Sequence, residues 1–201
     1  MDKEGLYNGI DENRAVQCAR ENLTNNPEEA IGELMTLALA GSRESAWLLG
    51  EIYYDGKYVK QNLAQSLHYL NMNPSDQEYK MSYMRARILD KLGRYTESFR
   101  IYENIVQYDY LPSIYRLGLA FRYGAGTKLD FEKGRQFLNL AYRRGHVGAG
   151  LELGLMYMKG TFGVFGFLYG LFVYLSSIKR HIKLGLAADP KWTLSPPEFF
   201  S

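Results

Sequence analysis

The sequence predicts an all-α fold of about five helical hairpins, and three observations predict it. A pattern of large and small residues returns at a near-constant spacing, capping residues stand where the pattern starts and stops, and no segment sustains the alternation of a β-strand. The pattern is Ala46-Trp47-Leu48-Leu49-Gly50-Glu51-Ile52-Tyr53-Tyr54-Asp55-Gly56, and it returns as Ser113-Ile114-Tyr115-Arg116-Leu117-Gly118-Leu119-Ala120-Phe121-Arg122-Tyr123-Gly124 and as Gly150-Leu151-Glu152-Leu153-Gly154-Leu155-Met156-Tyr157-Met158-Lys159-Gly160. A degenerate copy, Tyr83-Met84-Arg85-Ala86-Arg87-Ile88-Leu89, puts Ala86 at the small position, giving spacings of 36, 32 and 36 residues from Gly50 through Ala86 and Gly118 to Gly154. Periods of this length mark repeat architectures.

The elements follow in order. Residues 1–41 form an irregular first hairpin, whose second helix is announced by Asn26-Pro27-Glu28-Glu29: a cap, a proline at the first helical position and two acids in the first turn. The next units begin near Ser42, Ser75, Leu111 and Val147. In each, a large residue stands three positions before the small one (Trp47, Tyr83, Tyr115, Leu151) and another three after it (Tyr53, Leu89, Phe121, Tyr157), which puts them on one helix face. Gly56, Gly124 and Gly160 are expected to end these first helices by taking positive φ. Second helices follow: from Asn62 through Leu63, Leu67 and Leu70; after Leu92-Gly93-Arg94-Tyr95; and from an Asp130 cap through Phe131, Phe137, Leu138 and Ala141 to Arg143, Arg144 and Gly145. Ser75-Asp76-Gln77-Glu78 has the spacing of a capping box.

The run of Ala, two residues, Leu-Gly, two residues, Tyr, two residues and Gly before a second helix resembles the Sel1-like repeat, a relative of the tetratricopeptide repeat. Residues 46–70 and 113–146 carry it best, while 79–110 and Asn26-Pro27-Glu28-Glu29-Ala30 look more like tetratricopeptide repeats. The resemblance covers about three-quarters of the chain. It implies a right-handed α-solenoid that binds proteins as an adaptor or scaffold, with no catalysis and no cofactor.

Composition agrees with a folded scaffold. The 201 residues are 46% hydrophobic and 23% charged, with one cysteine, Cys18, which excludes a disulfide framework and makes the cytoplasm the expected compartment. The polar start Met1-Asp2-Lys3-Glu4, followed by no apolar core, leads to the expectation of no cleaved secretory signal. Cys18 is expected as a small buried hydrophobe. The net charge of +2 conceals an uneven split: residues 1–110 hold 12 lysines and arginines against 17 acids, and residues 111–201 hold 12 against 5. His68, His146 and His181 are far apart and lack zinc-helix spacing, so no metal is expected. In Gly148-Ala149-Gly150-Leu151-Glu152-Leu153-Gly154 the last glycine, Gly154, is one position late for a dinucleotide fingerprint, and the repeat register already uses it. Most tyrosines fall in packing columns, so RNA binding by base stacking is not expected either.

A protein partner is expected along the first helices, in columns that change between units. Those columns nominate Glu51, Tyr54, Arg87, Asp90, Arg116 and Arg122.

One stretch departs from the repeat. Residues 160–178 run 19 positions without a charge, between Lys159 and Lys179-Arg180-His181, where the last unit should have an amphipathic second helix. Gly166 and Gly170 form a G-x-x-x-G pair, and Phe165, Leu168, Phe172 and Leu175 stand around it. This divides the chain into a repeat domain, 1–159, and an attachment segment, 160–201. Three fates suit the segment: a membrane-spanning helix, a segment lying on anionic lipid at the cytoplasmic face, or a helix buried against the repeats, a partner subunit or a second copy of the chain. The tail holds Trp192, Phe199 and Phe200 at a further candidate interface.

Overall fold

A computed structural model describes residues 9–72, 79–161 and 163–185. Among them every regular element is a helix: α1 Gly9–Asn22, α2 Pro27–Leu39, α3 Arg43–Asp55, α4 Leu63–Met72, α5 Tyr79–Lys91, α6 Tyr95–Ile105, α7 Leu111–Tyr123, α8 Phe131–Arg143, α9 Val147–Met156 and α10 Gly163–Gly185. A 3-10 turn, Val106–Tyr108, follows α6, and a π-helical turn, Tyr157–Thr161, leads towards α10. The contacts divide the chain into two compact units, residues 1–88 and 89–201. The Ser75–Glu78 box, Phe162 and the aromatic tail lie outside the described residues.

In the first unit, α1 and α2 pack through Val16, Ala19, Leu23, Ala30, Leu34 and Leu37 and join α3 in one core. Leu70 of α4 and Met81 and Ile88 of α5 make a smaller core with Trp47, Leu63 and Leu67. Asn26 precedes Pro27 as expected, although its side chain bonds Glu29 rather than the helix amides. Ser42 caps α3 by accepting from the Ser45 amide, and Gly56 closes it at φ 69°. Cys18 is exposed, which corrects the expectation of burial: the inward stripe of α1 runs Val16, Ala19, Leu23, and Cys18 falls off it.

The second unit repeats the design. Gly93, at φ 72°, turns the chain into α6. Gly124 closes α7 at φ 70°, and Asp130 caps α8 through the Lys133 amide at 2.9 Å. The core gathers Ile114, Leu119, Leu138, Ala149, Leu153 and Val173. The last hairpin departs from this plan. Its first helix does not stop at Gly160; the chain stays helical through a π turn, and the left-handed residue is Gly163, at φ 64°. The seven-residue loop that separates α7 from α8 therefore has no counterpart among the described residues between α9 and α10.

In three of the hairpins, α3 with α4, α7 with α8 and α9 with α10, the two helices cross where side chains are smallest. A Cβ placed on Gly50 would lie 2.6 Å from the Leu70 side chain, and one on Gly118 would lie 3.1 Å from the Leu138 amide nitrogen. On Gly154 it would lie 2.7 Å from the Tyr174 Cβ. Each contact joins the small residue to the position 20 residues later. Sixteen residues after each glycine stands a second small residue: Ser66, whose hydroxyl donates to the Gly50 carbonyl at 2.6 Å, then Gly134 and Gly170. Thus α10 is the second helix of the last repeat, seated in the register of α4 and α8.

Candidate functional site

The residues nominated for a partner along the first helices have a different position in the fold. Arg87, Asp90, Arg116 and Arg122 are all buried, while Glu51 and Tyr54 are half-buried on α3. Within the second unit, three of the four fall in two buried polar groups. Asp90 accepts from the Tyr102 hydroxyl at 2.7 Å and lies 3.9 Å from the Arg116 guanidinium. Arg122 pairs with the Glu152 carboxylate and also donates to the Glu152 carbonyl at 2.9 Å, and Tyr123 donates to the same carboxylate at 3.1 Å. Burial, reinforced by the Glu152 charge, pushes the Tyr123 phenol up to about 12.

Such groups bind consecutive helices to one another rather than to a visitor. A buried ion pair adds little net stability over an apolar pair of the same shape, but removing one member strands the other and costs about 3–5 kcal/mol. Arg122 on α7 and Glu152 on α9 therefore fix which face α9 turns to α7. The columns vary between units because each junction has its own partners.

His146 completes this junction. Its Nδ1 accepts from the Ala149 amide at 3.2 Å, capping α9, and its ring stacks on Tyr115 at 4.1 Å. Burial, with the Arg116 charge as a second cause, lowers its pKa to about 4. The ring is neutral at neutral pH, as its acceptor role requires.

The surface that stands out is on α10. Its inward stripe is Gly166, Gly170, Val173 and Ser177, all buried. A Cβ on Gly170 would lie 2.7 Å from both the Gly154 carbonyl oxygen and the Tyr157 Cβ, so the two backbones meet with nothing between them. Tyr157 also meets Tyr169 edge to face at 5.1 Å. The G-x-x-x-G pair thus packs inside this chain, on α9 and the π turn.

The outward face is apolar. Val164, Phe165, Leu168, Phe172, Leu175 and Ile182 are each more than half exposed, with Phe165 at 88%. Register makes the departure explicit, because α8 and α10 are offset by 36 residues. Where α8 carries Glu132, Lys133, Arg135, Gln136 and Asn139, α10 carries Leu168, Tyr169, Leu171, Phe172 and Leu175. On α8 these positions form ion pairs, such as Arg135 with Glu132 at 2.6 Å. A single exposed leucine needs no explanation; a whole face of them does. Four of the residues predicted for this segment, Phe165, Leu168, Phe172 and Leu175, point outward together, and the other two, Gly166 and Gly170, point inward. The 16-residue spacing to Ser66, Gly134 and Gly170 was available in the sequence as the signal for that inward face.

Among the described residues, no helix is long and apolar enough to cross a membrane, so the spanning reading is corrected. The physical reason is that the uncharged run gives way to Lys179, Arg180 and Lys183 within the same helix, and one side of it is taken up by packing. No group of three His, Cys, Asp or Glu residues able to hold a metal occurs among the described residues. An open cleft in the first unit is lined by Glu12, Arg20, Gly41, Arg43, Glu44 and Trp47, with Arg20 and Glu44 3.3 Å apart.

The Sel1 repeat model matches residues 43–72, 111–146 and 151–166. The last match ends where the outward face of α10 begins. A solved Sel1 repeat protein from Oxalobacter formigenes is 19% identical, with a TM-score of 0.62 over 99% of this chain and 86% of that one. The structure of MamA is 13% identical, with a TM-score of 0.64 over 84% of this chain and 96% of that one. At these identities both likenesses concern the fold. No curated protein matches the sequence.

Proposed function

We propose that this chain, which carries Sel1-like repeats on an α-solenoid fold, is a non-enzymatic scaffold that joins polypeptides, and that the outward face of α10 is one of its docking surfaces. Sel1 repeat proteins are protein-interaction scaffolds, and that general role needs no reacting groups. The observation that carries the finer reading is the exchange of α8's charged positions for apolar ones in the same register on α10. Exposed charge is what keeps a helix face solvated, and a face destined for water has no use for Phe165, Leu168, Phe172 and Leu175 side by side. Glu51 and Tyr54, half-buried on α3, remain the part of the predicted first-helix surface within reach of a second partner.

The same register supplies the test. Giving α10 the residues of α8 (Leu168→Glu, Tyr169→Lys, Leu171→Arg, Phe172→Gln, Leu175→Asn) alters the outward half of a helix whose inward stripe stays intact, and removes one internal contact, that of Tyr169 with Tyr157. Tagged full-length protein, purified from its native source, should retain untagged polypeptides, whether other proteins or untagged copies of itself, that this variant loses at unchanged helical circular dichroism. An identical set of retained polypeptides would refute the docking role.

A second reading, contact of α10 with an anionic lipid surface, is favoured by charge. From Leu153 to Ala188 every charged residue is basic, and Lys179, Arg180 and Lys183 are exposed at one end of the apolar face. Flotation with vesicles containing phosphatidylserine, lost in high salt, would support it over a protein occupant.

A further inference from the structure

We propose that the occupant of the outward face of α10 is a second copy of the same chain, with the two α10 helices antiparallel about a two-fold axis. The proposal rests on the docking role argued above and names the partner.

Periodicity carries the argument. Phe165, Leu168, Phe172, Leu175, Lys179 and Ile182 are spaced 3, 4, 3, 4 and 3 residues apart, the a and d positions of a helix-pairing seam. All six are exposed, the five apolar ones by 54–88%. Val164, Phe167, Tyr169 and Leu171 are exposed beside this seam and widen it to the broad apolar sector that a lipid surface would accept, but the 3-4 spacing of the seam is what a partner helix requires. The opposite side of α10 is a seam of small residues taken up by α9, so the helix is held in place while it presents the large one.

The seam is its own complement. With the axis between Phe172 and Leu175, Phe172 faces the partner's Leu175, Leu168 faces the partner's Lys179, and Phe165 faces the partner's Ile182. Every seam position finds a seam position, as an isologous interface requires. The one polar member, Lys179, has a stem that can lie along Leu168 while its ammonium reaches water.

Charge selects the direction. A parallel pair would stack Lys179, Arg180 and Lys183 on their own copies, with no acid in the segment to relieve them. In the antiparallel pair the two Lys179 residues are roughly 16 Å apart along the axis, at ~1.5 Å per residue, beyond a Debye length of about 8 Å.

Area agrees. The five apolar seam residues expose on the order of 700 Å² per copy, against ~800 Å² per partner in a stable interface and ~300–600 Å² for the largest apolar patch of an ordinary monomer.

Sedimentation velocity on the full chain, in detergent-free buffer at micromolar concentration, should give twice the 23.1 kDa monomer mass. The five-residue α10 variant, and Phe172→Glu alone, should both sediment as monomers with unchanged helical dichroism; Phe172 is already mostly exposed, so the single change costs the monomer little. Direction is read by disulfide trapping in a Cys18→Ser background. Phe165→Cys mixed with Ile182→Cys should cross-link on mild oxidation, whereas Phe165→Cys alone should not. A wild-type monomer at all concentrations would overturn the proposal; if the five-residue variant then still loses other proteins, the docking role stands with a different occupant. A monomer that floats with anionic vesicles would assign the face to lipid and also overturn it. Self-linking of Phe165→Cys would overturn the antiparallel register.

Discussion

His146 shows how a single side chain ties local structure to stability. It caps α9 only while Nδ1 is unprotonated, and burial holds its pKa near 4, against 6.5 for a free histidine. The unfolded chain therefore binds a proton between about pH 6.5 and pH 4 that the folded chain refuses. Stability from this residue is complete above pH 6.5, falls as pH drops through the window, and is lost by pH 4. The size is on the order of 3 kcal/mol. His146→Asn keeps a capping acceptor without the titration, so urea unfolding of this variant at about pH 7, 5.5 and 4.5 should lack the wild-type decline; an equal decline would place its origin elsewhere. Cys18 and the four buried partner candidates mark the limit of reading residues singly. The stripe Val16, Ala19, Leu23 was legible in the spacing and would have excluded Cys18. That Arg122 meets Glu152 was not, because a pairing across 30 residues depends on which faces α7 and α9 turn to each other.

At the scale of elements, one rule explains three hairpins: the partner helix crosses at a small residue, with contacts 16 and 20 positions later. The first half of that rule was plain in the recurring glycine of the first helices. The second half was obscured in the last unit, where glycine in an uncharged run also suits a membrane interface. Two substitutions separate the uses of glycine. Gly170→Leu must push a branched side chain into the Gly154 carbonyl, and should cost about 1–3 kcal/mol or more while loosening α10. Gly32→Ala, on the open side of α2 with nothing within 4 Å, should instead stabilise by up to about 1 kcal/mol. Thermal unfolding of the two variants checks the opposite signs; equal shifts would mean that the crossing is not where α10 is held.

For the molecule as a whole, the balance of +2 over 201 residues gave little hint of function, because opposite excesses of charge in the two halves cancel. What carries information is where charge is withheld. Helical repeats bury one face of each hairpin and leave the other to water, and the outward face of α10 breaks that rule at five consecutive outer positions. The repeat architecture was readable from the sequence because it recurs; the docking face was readable only as an anomaly, because a face is defined by what the other side of the helix packs against. The central claim, that the outward face of α10 seats another polypeptide, is tested most directly by a photo-crosslinking amino acid at Phe172 in the full chain. The account predicts a cross-linked polypeptide species that disappears when Leu168, Tyr169, Leu171 and Leu175 carry the residues of α8. Irradiation that yields only uncross-linked monomer or lipid adducts would contradict it.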